Sequence, residues 1–108
     1  MASKNLSHYD KSSIPNAEGL RFGIVVSEWN PEITEGLYKG AHQTLLDNGV
    51  APEDILRINV PGSFELTFGA SILGETTNVD AIITLGSVIQ GETKHFDFVC
   101  QGVSNGIA

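Results

Sequence analysis

Three short apolar runs, at residues 22–26, 55–60 and 81–85, are separated by longer stretches in which apolar residues recur every three or four positions. The runs have the length and composition of buried strands, and the stretches between them have the period of helices. After the first run, Asn30 can cap a helix and Pro31 can occupy its first position; Leu37, Ala41 and Leu45 then share one face, and Asp47-Asn48-Gly49 stops the helix. The turn Pro61-Gly62-Ser63 follows the second run and leads into a helix with Leu66, Ala70 and Leu73 inward. Beyond the third run, Phe96, Val99, Cys100, Val103 and Ile107 mark one face of a helix starting near Thr93. Strands alternating with helices at this spacing predict an α/β fold: a parallel sheet with right-handed crossovers and helices on both faces. The domain spans residues 21–108. Residues 1–20, rich in serine and asparagine with few apolar residues, read as a flexible tail that orders only against something else, with Ile14 as its anchor.

Each strand in this pattern hands over to its helix through unusual residues, and a parallel sheet places all three junctions at one carboxyl edge. Trp29 follows the first strand, Ser63-Phe64-Glu65 the second, and Gly86-Ser87-Val88-Ile89-Gln90-Gly91-Glu92-Thr93-Lys94-His95 the third. Taken singly, each has a plain structural explanation. Trp29 suits core packing, Glu65 suits a helix N-terminus, Val88-Ile89 suits a continued strand, and His95 falls on the apolar face 95, 99, 103, 107. Together they describe a pocket for a polar heteroaromatic ring and a phosphate: an aromatic face, a carboxylate, backbone edges, and a helix start where Gly91 and Thr93 offer anion contacts. The spacing Gly86-x-x-x-x-Gly91-x-Thr93 nearly matches a P-loop, but Glu92 stands where that motif needs lysine, which argues against nucleoside triphosphates.

Composition narrows the partners. The chain has 108 residues, 41% hydrophobic and 18% charged, which suits one globular domain with a modest core. Six basic against thirteen acidic residues, net charge −7, argue against nucleic acid, so anion binding must be built locally from backbone N–H groups. The single Cys100 permits no internal disulfide; its place on a helical face suits a small buried hydrophobe better than a nucleophile, and a reducing, cytoplasmic setting follows. Neither a secretory leader nor a membrane-spanning stretch is expected.

Ser27-Glu28-Trp29-Asn30 with Ile33-Thr34, then Val60-Pro61-Gly62-Ser63-Phe64-Glu65-Leu66, then Gly86 through Asp97 resemble the three signature segments of the 6,7-dimethyl-8-ribityllumazine synthases, in order and spacing. The resemblance implies a flavodoxin-like three-layer sandwich and the penultimate step of riboflavin biosynthesis. In that step 5-amino-6-(D-ribitylamino)uracil condenses with 3,4-dihydroxy-2-butanone 4-phosphate. Carried over by position, it implies that Trp29 stacks on the pyrimidine, and that Ser63, Phe64 and Glu65 hold the uracil substrate, Glu65 accepting from ribityl hydroxyls. The backbone of Ser87, Val88 and Ile89 would read the ring, Glu92 and Thr93 would bind phosphate, and His95 would donate the proton. The chemistry needs no metal or redox cofactor. The resemblance also implies a homo-oligomer, a pentamer or a pentamer-based icosahedral shell, with sites between subunits. A non-catalytic shell-forming protein, or a flavin- or lumazine-binding module of the same fold, is the alternative.

The sequence ends at Gly106-Ile107-Ala108, inside the third helix. Family members continue with a further strand and helices that add an aromatic wall and a basic residue for the phosphate, a role that none of Lys4, Lys11, Arg21, Lys39, Arg57 and Lys94 matches. The expectation is therefore a truncated domain, one piece of a longer or two-piece protein, that needs a complementing carboxyl-terminal segment and alone binds poorly and does not turn over.

Overall fold

In the computed structural model, residues 11–108 are described, so the expectations for residues 1–10 lie outside the described residues. Three strands alternate with three helices: β1 (Phe22–Ser27), α1 (Pro31–Asp47), β2 (Ile55–Val60), α2 (Leu66–Thr76), β3 (Ala81–Leu85) and α3 (His95–Ile107). Short 3-10 turns at Pro52–Asp54 and Ser63–Glu65 lead into β2 and α2.

The sheet is parallel with order β2-β1-β3, Phe22 standing opposite Ile55 on one side and Ala81 on the other. The chain steps from β1 out to β2 and then back across β1 to β3. Two right-handed crossovers in opposite directions must lie on opposite faces, which puts α1 on one side of the sheet and α2 on the other. The result is the start of a flavodoxin-like three-layer sandwich, whose strand order reverses direction between β1 and β3.

Central β1 holds the core: Ile24, Val25 and Val26 are buried, joined by Val60 of β2 and by Leu66 and Leu73 of α2. Each such side chain contributes roughly 1.5–3 kcal/mol by leaving water. Gly69 brings α2 close to the sheet; a Cβ there would lie 2.5 Å from Val25 Cγ1.

Three details depart from the periodicity. In α1, Thr34 is the fully buried residue and Tyr38, Ala41 and Leu45 follow it inward, while Leu37 is 43% exposed. Asn30 caps α1 through its carbonyl and not its side chain, accepting from the N–H groups of Ile33 and Thr34 at 3.1 and 3.2 Å. Thr34 faces the sheet while Leu37 stays at the rim. Cys100 is half-buried, and no residue of α3 is fully buried. Ahead of β1, the Ala17 N–H donates to the Asn48 carbonyl at 2.8 Å and ties this stretch to the end of α1, whereas Ile14 is exposed. No helix among the described residues is long and apolar enough to cross a membrane.

Candidate active site

The three strand ends open onto one cleft of about 460 Å³, at the β1/β3 switch point where doubly wound sheets bind ligands. Each junction builds one wall.

The β1–β2 pairing runs on past the strands, with the Glu28 N–H donating to the Val60 carbonyl at 2.7 Å and the Trp29 N–H to the Pro61 carbonyl at 3.1 Å. Asn30 then takes a left-handed conformation (φ 59°), a turn asparagine tolerates, and α1 begins. Trp29 is left at the lip of the cleft, 49% exposed, so it is not a core residue.

After β2 the chain turns through Ser63–Glu65. Glu65 Oε2 accepts from the Gly62 N–H at 3.1 Å, and the Glu65 N–H donates to the Gly62 carbonyl at 3.2 Å. One carboxylate oxygen is thereby tied to the turn. Ser63 is buried and its hydroxyl donates to the Ser87 carbonyl at 3.1 Å; Phe64 is 61% exposed.

Past β3, residues 86–88 are half-buried and residues 89–95 are exposed. Helix α3 starts at His95, two residues after Thr93, and Thr93 Oγ1 accepts from the His95 N–H at 3.3 Å just ahead of it. The cleft is lined by Trp29, Ser63, Phe64, Glu65, Ser87, Val88, Ile89 and His95, all singled out from sequence, and also by Pro61, Gly62 and Val99. Val99 sits one turn beyond His95, a proximity its spacing of four already contained. Glu92 and Thr93 lie on the exposed turn ahead of α3 and do not line the cleft.

Outside the cleft, Arg57 Nη1 donates to Glu35 Oε2 at 3.0 Å, its Nη2 donates to Glu35 Oε1, and the guanidinium lies 4.3 Å from the Tyr38 ring centroid. These hydrogen bonds hold the Glu35 carboxyl below its usual range and raise Arg57. Neither residue lines the cleft.

An indole face, a backbone edge, a carboxylate and an imidazole thus share one opening, a set suited to orienting a heteroaromatic ring and moving a proton beside it. The sequence model of the 6,7-dimethyl-8-ribityllumazine synthases matches residues 19–108. The chain belongs to this family. A 6,7-dimethyl-8-ribityllumazine synthase of Flavobacterium johnsoniae is 65% identical over 104 residues, covering 96% of this chain and 55% of the relative. That of Christiangramia forsetii is 62% identical over 104 residues, covering 95% and 62%, and that of Flavobacterium psychrophilum is 59% identical over 106 residues, covering 98% and 56%. The chain therefore spans 55–62% of the length of these curated lumazine synthase relatives.

Proposed function

We propose that this chain carries the pyrimidine side of the active site of a 6,7-dimethyl-8-ribityllumazine synthase. The enzyme condenses 5-amino-6-(D-ribitylamino)uracil with 3,4-dihydroxy-2-butanone 4-phosphate, releasing phosphate and water. The observation that carries this reading is the lining of one cleft by Trp29, the 63–65 turn, the 87–89 strand exit and His95, drawn from three separate βα units.

In this reading the pyrimidine stacks on Trp29, which contributes on the order of 1 kcal/mol beyond area burial. Its ring edge pairs with the backbone of Ser87, Val88 and Ile89. Glu65 receives ribityl hydroxyls with the oxygen that Gly62 leaves unused. The turn of Glu92 and Thr93 and the first N–H groups of α3 receive the phosphate. The amine of the pyrimidine adds to the ketone, water leaves to form an imine, phosphate is eliminated, and the ribityl-bearing nitrogen adds to the remaining carbonyl and closes the ring with loss of a second water. His95 supplies and accepts protons as the hydroxyl and phosphate depart. No atom changes its oxidation state through an external partner, so the work of the site is orientation and proton transfer, and effective molarities for well-placed neighbours reach about 10⁵ M or more.

The assembly in this reading is a homo-oligomer, a pentamer or pentamer-based shell in the cytoplasm. Phe64, Phe68, Phe98 and Ile33 are exposed, and β3 lies at the edge of the described sheet. Apolar surface and strand edges of this kind are usually covered in the working state.

The test is turnover by the complete gene product with both substrates, followed by lumazine absorbance. Product formation that requires both substrates is expected. Saturable ligand binding without product would make the protein a binding module, and neither binding nor product would overturn the reading.

A further inference from the structure

Past Leu85, which pairs with Val26, the chain has left the described ladder between β1 and β3. The segment meant to read a ring edge therefore needs another support. Ser63 supplies one: 7% exposed, it reaches from the turn after β2, and its hydroxyl donates to the Ser87 carbonyl at 3.1 Å. The fit is close on both sides. A Cβ at residue 86 would lie 2.6 Å from Ser63 Oγ and 2.7 Å from Leu66 Cδ1, so the bare backbone of Gly86 is what lets the hydroxyl come in. Two junctions that form different walls of the cleft are thereby locked together.

We propose that Ser63 is a positioning residue whose hydroxyl holds the Ser87 carbonyl and so sets the backbone edge of residues 87–89 against which the pyrimidine is read. The proposal rests on the function proposed above. It assigns the Ser63 side chain a role through Ser87 and separate from any contact its backbone makes with ligand. One neutral hydrogen bond lost behind the ring edge loosens that edge and leaves the phosphate end untouched, so the effect is selective for one substrate.

In the complete gene product, Ser63→Ala should weaken binding of a ribitylaminopyrimidine analogue, measured by calorimetry, by about five- to tenfold. The KM for the butanone phosphate and the oligomeric mass should be unchanged. Amide exchange at residues 87–89 should speed up while residues 81–85 keep their protection. Gly86→Ala, which crowds the hydroxyl off the carbonyl, should give the same selective loss and serves if Ser63→Ala does not fold. Equal analogue affinity in wild type and variant, or equal losses for both substrates, would overturn the role of Ser63 alone. A wild-type protein that binds neither substrate would overturn the proposed function and this role with it.

Discussion

The ring of Phe64, in the turn after β2, lies against Gly102 of α3 so closely that a Cβ at residue 102 would come within 2.7 Å of Phe64 Cε2. This contact couples the turn that presents Ser63 and Glu65 to the helix that begins with His95. Gly102→Val should therefore push the Phe64 ring off α3 and loosen the contact between the turn and the helix. Overpacking costs about 1–3 kcal/mol, more than the helix-propensity gain of a few tenths over glycine. Chemical denaturation should show a net loss, and His95-dependent turnover should fall with it.

Gly40 offers the opposite case. It lies within α1, and a Cβ there would meet nothing within 4 Å. Gly40→Ala should stabilise the fold by about 0.5–1 kcal/mol through helix propensity and a more restricted unfolded chain. A midpoint in urea that does not rise would overturn the open surroundings assigned to residue 40.

Trp29 is the single tryptophan and stands half-exposed in the cleft wall. Its emission should change saturably when the complete gene product is titrated with the uracil substrate or a ribityl analogue. Emission indifferent to a ligand that calorimetry detects would remove its stacking role.

His95→Ala should slow turnover by about 10²-fold, the low end for acid–base catalysis, because substrate orientation survives the change. Pyrimidine affinity should hold. A variant with wild-type rate and an unchanged pH profile would make His95 structural.

The Glu35–Arg57 pair gives a pH prediction of definite sign. Glu35 is held below the ordinary glutamate value, first by hydrogen bonds from Arg57. A depressed carboxyl adds stability above its unfolded value, and the contribution disappears as pH falls through the folded one. NMR titration of Glu35 in Arg57→Met should show its pKa rising toward the ordinary glutamate value, and the variant should lose less stability than wild type on acidification below it.

Much of the architecture was legible because it rests on local physics. The apolar runs at 22–26, 55–60 and 81–85 have no stable alternative to burial as strands, and helical spacing between them forces parallel pairing. Handedness then leaves few ways to arrange three βα units, so the gathering of Trp29, the 63–65 turn, residues 87–89 and His95 at one sheet edge followed from topology. The α1 face was placed correctly at Ala41 and Leu45 but not at Leu37, which is exposed while Thr34 is buried. Periodicity gives the angle between residues and not the rotation of the helix, which is set by how the whole element packs on the sheet.

The amino-acid sequence by itself determined the alternation of strands and helices, the parallel sheet, the family and the residues at each junction, because these depend on periodicity and on motifs read along the chain. Only the tertiary structure decided that Glu65 spends one oxygen on Gly62, that Ser63 grips Ser87, that Phe64 seats on Gly102, and that Glu92 and Thr93 stand outside the cleft their neighbour His95 lines. Ser63 and Ser87, like Phe64 and Gly102, are far apart in sequence. Whether such residues meet depends on how whole elements pack, and no spacing within either segment encodes the distance between them.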